Sequence, residues 1–259
     1  MASAAAAIYE QPLNERVRTL LRLEFLFRQA QNGLSGDSEW HSRTVVAALI
    51  DVLGVLSARG DVRSEIIKEL ERMTATLTRL EDTPGVDQSR LSSLLSDCRR
   101  LTEAMKSVRG LPGGELKDNE LLISVMQRAG IPGGTCGFDL PAYHYWLLRP
   151  AELRRAQVEE WMASTENLRQ ATSLILQVLR NSAVPSQQVA TKGVYQQNLD
   201  RNTPYQLVRV LLPLEAPYFA EISGSKHFFT VRFMTPSSTG ERPAQSSDEI
   251  PFQLCCCAL

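Results

Sequence analysis

Residues 227–234 read H-F-F-T-V-R-F-M. In an extended chain successive side chains point to opposite faces, so Phe229, Val231 and Phe233 share one side while Thr230, Arg232 and Met234 take the other. A helix would scatter this period of two around its surface, so the stretch predicts a strand. The same short period recurs in V-Y-Q-Q (194–197), Y-Q-L-V-R-V-L-L (205–212), Y-F-A-E-I (218–222) and I-P-F-Q-L-C-C-C (250–257). Pro, Gly, Asn and Ser clusters separate these runs; S-G-S-K (223–226) and P-S-S-T-G-E-R-P (236–243) read as turns or loops. From Pro185 onward the chain therefore predicts antiparallel strands.

Up to about Ala183 the pattern is helical. Pro12 or Asn14 can open a first helix with the apolar stripe Leu13, Val17, Leu20, Leu21, Phe25 and Phe27, ended by Asn32-Gly33. A second spans about Glu39 to Ala58 and stops at Gly60. Asp61 is the N-cap type for a third, reaching Leu80, and a fourth runs from about Asp87 to Ser107. A fifth covers Lys117 to Ala129. Pro150 suits the first turn of another, and the last runs from about Glu166 to Asn181. The fold class is α+β. Residues 1–183 form a mainly helical bundle, and residues 184–259 form a smaller antiparallel β-domain packed on it, because a sheet this small is marginal alone. Residues 6–10 (A-A-I-Y-E) can add an edge strand to the β-domain.

Composition narrows the function. With 28 Lys+Arg against 29 Asp+Glu the net charge is −1, which gives no global pull towards nucleic acid or anionic lipid. No apolar run approaches the ~20 residues of a membrane span, and the opening M-A-S-A-A-A-A-I-Y-E lacks the basic start of a secretion signal. The expectation is a cytoplasmic protein with no membrane span. Five cysteines, three of them consecutive (Cys255, Cys256, Cys257), show no spaced disulfide framework. The terminal C-C-A-L matches a prenylation box, but no polybasic stretch precedes it and the residues before it read as strand. Neighbours on a strand face opposite ways, so the triplet does not converge on a metal, and His41, His144 and His227 are too few for a His-based site. No cofactor is expected.

The densest turn chemistry is I-P-G-G-T-C-G-F-D-L-P-A-Y-H-Y-W-L-L (131–148). As an enzyme it would use Cys136 as nucleophile, His144 as base and Asp139 as orienting acid. As an elbow it would use Gly133 or Gly134 for a backbone conformation closed to other residues, with Asp139 capping the next helix. The second reading is the stronger, because nothing in the spacing returns Cys136 to His144. Gly133-Gly134 also lacks the strand–turn–helix context of a phosphate loop. R-G-D-V-R-S-E-I-I-K-E-L-E-R (59–72) reads as a helix junction followed by a charge-paired helix. Trp40, Trp146 and Trp161 read as core or interface anchors. Arg18 and Arg22 lie at i,i+4 on the first helix, either a solvated face beside Glu15 and Glu24 or a dock for an acidic peptide.

Several long blocks resemble the ZapD family of bacterial cell-division proteins: Y-E-Q-P-L-N-E-R-V-R-T-L-L-R-L-E-F-L (9–26), the 59–72 block, P-G-V-D (84–87) and I-P-G-G-T-C-G-F-D-L-P-A-Y-H (131–144). The resemblance continues through G-V-Y-Q, E-I-S-G, V-R-F-M and F-Q-L-C-C, so it reaches from about residue 9 to residue 257, and the C-A-L after Cys256 departs from the family's usual ending. It implies a helical domain joined to a β-domain, a homodimer without catalytic activity, and binding to the C-terminal tail of FtsZ. It further implies cross-linking of FtsZ filaments into bundles that steady the Z ring at mid-cell. FtsZ tails combine acidic and apolar residues, which favours a pocket of basic and aromatic members. Arg16, Arg18, Arg22, Tyr143 and His144 are the candidates, with Lys117 the weakest because Glu115, Asp118 and Glu120 surround it. The alternatives are a cysteine-dependent enzyme and a cytosolic adaptor for another partner.

Overall fold

In the computed structural model, which describes residues 6–58, 61–108, 110–237 and 240–259, helix boundaries follow local capping chemistry. Asn14 accepts the Val17 amide at 2.9 Å and opens α1 (Glu15–Leu34). Next comes α2 (Glu39–Ala58); the Gly60 expected to stop it, Arg59 of the R-G-D triplet and part of the 236–243 loop lie outside the described residues. Asp61 caps α3 (Val62–Thr78) through the Ser64 amide, and Asp87 caps α4 (Gln88–Ser107) through Ser89 and Arg90. Arg63 then ties α3 to the end of α4, donating to the carbonyls of Met105 at 2.7 Å and Lys106 at 2.8 Å.

The fifth expected helix is two pieces. A 3-10 turn, Gly114–Asp118, precedes α5 (Glu120–Arg128), because Asn119 leaves the helical conformation to accept the Leu122 amide at 3.1 Å. The remaining helices are α6 (Pro141–Leu147), α7 (Ala151–Ala163) and α8 (Glu166–Arg180). The strands are β1 (Ala6–Pro12), β2 (Ser186–Ala190), β3 (Val194–Asn198), β4 (Tyr205–Pro213), β5 (Phe219–Gly224), β6 (Phe228–Thr235), β7 (Ala244–Gln245) and β8 (Ile250–Ala258). The α+β class is as expected. β2 and β7 were not predicted, since S-Q-Q-V-A and A-Q have no apolar alternation; β2 exists by antiparallel pairing with β8, and β7 by pairing with β6.

Contacts divide the chain into two compact units, Thr19–Ile175 and Met1–Arg18 with Leu176–Leu259. In the helical unit, α2 buries Val45, Val46, Leu49 and Leu53 with Leu122 and Val125 of α5, Trp146 of α6, and Val158 and Trp161 of α7. Each fully buried aliphatic chain of this kind contributes about 1.5–3 kcal/mol. Among the described residues α2 is the one helix long and apolar enough to cross a membrane, but its apolar side is spent on this core.

In the β-rich unit, β1-β4-β8-β2 form one antiparallel sheet and β3-β6-β5 another, with β7 paired to β6. Val208, Val210, Phe252 and Leu254 of the first meet Phe229, Val231 and Phe233 of the second in one core, the face the alternation of H-F-F-T-V-R-F-M assigned. The sheets are linked by a tight turn at Lys192-Gly193, both at positive φ (52° and 68°). A Cβ on Gly193 would lie 2.3 Å from the Ser246 carbonyl oxygen, so only glycine fits there.

Candidate partner-binding site

After α5 the chain reverses through stacked turns. The Gly134 amide donates to Ile131 at 2.9 Å, Cys136 to Gly133 at 3.0 Å and Leu140 to Cys136 at 3.1 Å. Gly133 takes φ +71°, and a Cβ on Gly134 would sit 2.7 Å from Ile131 Cβ and 2.8 Å from the Arg128 carbonyl. Both glycines are thus needed for the elbow. The Asp139 cap is corrected: Leu140 occupies the N-cap of α6, with no side-chain cap bond, and Pro141 opens the helix. Asp139 stands one residue too early. It accepts from the Cys136 thiol at 3.4 Å and lies 3.9 Å from an Arg128 nitrogen.

Arg43 of α2 holds the elbow. Its Nη1 donates to the Thr135 carbonyl at 3.0 Å, and its guanidinium lies 5.4 Å from the Trp40 ring and 5.2 Å from the Tyr143 ring. Tyr143 stacks on Trp146, which stacks on Trp161, each pair 5.8 Å between centroids. Burial pushes the Tyr143 phenol up to about 12, against the pull of Arg43.

This ladder turns one side of α6 inward and leaves the other outside. Phe138 is 85% exposed, Tyr145 72% and Leu148 67%. Tyr145 and Leu148 are one turn apart, and His144, also exposed, lays its ring over Gly137, whose added Cβ would be 3.2 Å from the imidazole. Exposed large apolar side chains gathered on one short segment make this a candidate binding surface. Sequence reasoning missed Phe138, Tyr145 and Leu148. The signal was in Y-H-Y-W-L-L, which is apolar around the whole helix and so exceeds what one buried face can absorb.

The expected site residues fall in different settings. Tyr143 is 2% exposed; as a surface member of the pocket it is corrected, because its ring serves the core and the Arg43 clamp. Lys117 is exposed on the 3-10 turn beside Glu115 and Asp118. In the β-rich unit's share of α1, Arg16 and Arg18 are half-buried. Arg18 donates to Glu15 at 3.1 Å, the solvated-face arrangement. In the helical unit Arg22 is exposed and Phe25, one turn on, is 67% exposed. Among the described residues no ion pair or hydrogen bond joins Arg22, Lys117 and His144 to one another. Of the tryptophans, Trp146 and Trp161 are core, whereas Trp40 is 67% exposed.

The Cys136 thiol is paired with Asp139. A nucleophilic thiolate needs a cation or helix N-terminus beside it, but Cys136 donates to a carboxylate, which would repel a thiolate. Cys136→Ser preserves a donor to Asp139. We expect melting to shift by no more than about 0.5 kcal/mol in stability and partner binding to stay unchanged; a tenfold loss of binding by anisotropy would reinstate the thiol.

The cysteine run lies in β8, with Cys255 opposite Arg209 and Cys256 opposite Val208. Cys255 and Cys257 are buried. Burial pushes the Cys256 thiol up to about 11 and the Cys257 thiol up to about 12. Among the described residues no cluster of three or more His, Cys, Asp or Glu could hold a metal.

Comparison with known proteins adds independent findings. The family model described as ZapD, cell division protein, matches residues 21–232. A protein named cell division protein ZapD from Methylococcus capsulatus is 46% identical over 252 residues, covering 97% of this chain and 98% of that protein. Proteins of the same name from Nitrosomonas eutropha and Aromatoleum aromaticum are 37% and 38% identical, each over 97% of this chain and 99% and 97% of their own lengths. With near full-length identity at this level, the chain belongs to the ZapD family of cell-division proteins.

Proposed function

We propose that this chain is a non-enzymatic cell-division factor that binds the C-terminal tail of FtsZ, acts as a homodimer in the cytoplasm at mid-cell, and cross-links FtsZ filaments into bundles that stabilise the Z ring. The observation that carries the reading is the exposed Phe138, Tyr145 and Leu148 surface beside His144. An acidic and apolar peptide offers side chains for those rings and carboxylates for nearby cations. Arg16, Arg18 and Arg22 of α1 and Lys117 on the 3-10 turn remain candidate tail contacts. Arg22 with Phe25 repeats the same basic–aromatic chemistry. A two-fold dimer presents the tail site twice, so each half holds a different filament. Many tails per filament then convert modest single-site affinity into firm bundling through effective concentration.

The test is fluorescence anisotropy with a labelled FtsZ tail peptide, together with sedimentation of FtsZ filaments. Phe138→Ala removes an aromatic anchor and is expected to weaken peptide binding by about tenfold or more without lowering the melting temperature, because the ring is already in water. Arg22→Glu replaces attraction by repulsion and should weaken binding and suppress bundling, and wild-type binding should fall with salt. If Arg22→Glu binds as wild type at low salt, α1 is not a contact and the search moves to Lys226, His227 and Arg232. Dimer-breaking variants should bind the peptide yet fail to sediment bundles; a monomeric native protein that bundles normally would sink the two-site mechanism.

A further inference from the structure

All three tryptophans stand in the helical unit, and the fold treats one of them differently. Trp146 and Trp161 are 3% and 5% exposed in the core, whereas Trp40 is 67% exposed in the first turn of α2. An indole left in water forgoes the burial that large aromatic side chains ordinarily contribute to a fold.

Its setting is nevertheless rigid. Just before Trp40, the carbonyls of Asp37 and Ser38 accept from the buried Arg154 at 2.6 and 3.3 Å. The Trp40 carbonyl accepts from the Thr44 hydroxyl at 2.9 Å. The Arg43 guanidinium lies over the indole, 5.4 Å from its centroid, and 5.2 Å from the centroid of Tyr143. One face of the indole therefore meets a cation, and the exposed remainder is open. Arg43 also donates to the Thr135 carbonyl at 3.0 Å, three residues before Phe138. Trp40 thus adjoins the elbow that leads to the exposed Phe138.

An aromatic ring held in place beforehand loses little freedom when a partner covers it, which suits it to be an anchor. The charges beside it decide what it takes. Glu39 precedes it in the chain and acts on the Tyr143 phenol against Arg43. The cation is offset by that carboxylate and already holds Thr135, so the open indole face fits an apolar side chain rather than an acidic one.

We propose that Trp40 is a further anchor of the tail-binding surface, its open face covered by an apolar side chain of an acidic, apolar peptide whose neighbouring residues engage Phe138. This rests on the reading of that surface as the FtsZ-tail site and adds to it a subsite on α2.

The experiment uses the full-length protein, a tryptophan-free FtsZ tail peptide and acrylamide quenching of the intrinsic fluorescence. With the other two indoles in the core, quenching reports on Trp40. Saturating peptide is expected to protect that emission and shift it to the blue. Trp40→Ala should weaken peptide binding by about tenfold in anisotropy at an unchanged melting temperature. Trp40→Phe keeps an aromatic face, so it should recover most of the affinity while abolishing the fluorescence response. Peptide binding with Trp40 still fully quenchable overturns the inference and leaves the tail-binding reading standing, as does a Trp40→Ala protein that binds like wild type. Protection that appears when the protein alone is concentrated gives the ring to a second copy of the chain, and also overturns it. A wild-type protein that does not bind the peptide overturns both.

Discussion

Arg154→Ala is expected to cost the protein about 3–5 kcal/mol, because it strips a buried cation from a full set of acceptors. Arg154 is 5% exposed. Its Nε donates to the Arg149 carbonyl at 3.0 Å, Nη1 to the Ser38 carbonyl at 3.3 Å and the Ser42 hydroxyl at 2.6 Å, and Nη2 to the Asp37 carbonyl at 2.6 Å. These bonds fasten α7 to the turn before α2, the helix that carries Trp40 and Arg43. Truncation leaves carbonyls without donors and a hole where the side chain lay. At roughly 2–4 °C per kcal/mol for a chain of this size, melting should fall by about 6–20 °C. Lysine should recover less than half, since a single ammonium cannot span acceptors arranged for a planar fork. Loosening that turn should also release Arg43 from Thr135, so tail-peptide binding should weaken in the still-folded fraction. Melting within about 2 °C of wild type would show that the bonds are dispensable.

Glu10→Ala should be nearly as severe for the β-rich unit. Glu10 of β1 accepts from Arg180 of α8 at 2.9 and 2.8 Å and from Arg209 of β4 at 2.9 Å. The three side chains are only 16–18% exposed. Removing the one carboxylate leaves two guanidinia facing each other with little water, at a cost of about 3–5 kcal/mol. Glu10→Gln keeps an acceptor but not the charge and should fall between Ala and wild type. Because β1 is an edge strand held by β4 alone within its sheet, the loss should show first as faster amide hydrogen exchange across the β1–β4 register from Ala6–Pro213 to Pro12–Leu207. Unchanged exchange in Glu10→Ala would place the anchoring of β1 elsewhere.

What the sequence by itself determined is the part governed by near neighbours. The change from a 3.6 to a 2.0 period places helices before strands. Asp61 and Asp87 start their helices because a cap needs only the amides two and three residues on. The alternation of Phe229, Val231 and Phe233 names the core face before any partner strand is known. The family blocks, too, are visible without coordinates.

The tertiary structure decided whatever depends on which partner a face finds. Strand β2 is polar along its length and forms only because the β8 edge stands beside it. Asp139 has the residue type of a cap, but Pro141 and the stacked turns place the helix start at Leu140, so its carboxylate goes to Cys136 instead. Tyr143 and Tyr145 are the same residue two positions apart. One is buried between Arg43 and Trp146, and the other stands in water, because α6 has a single inward side and the Trp146–Trp161 stack had already taken it. Periodicity says that a helix has an apolar face. When a helix is apolar on both faces, only the packing of distant segments chooses which is covered and which is left for a partner.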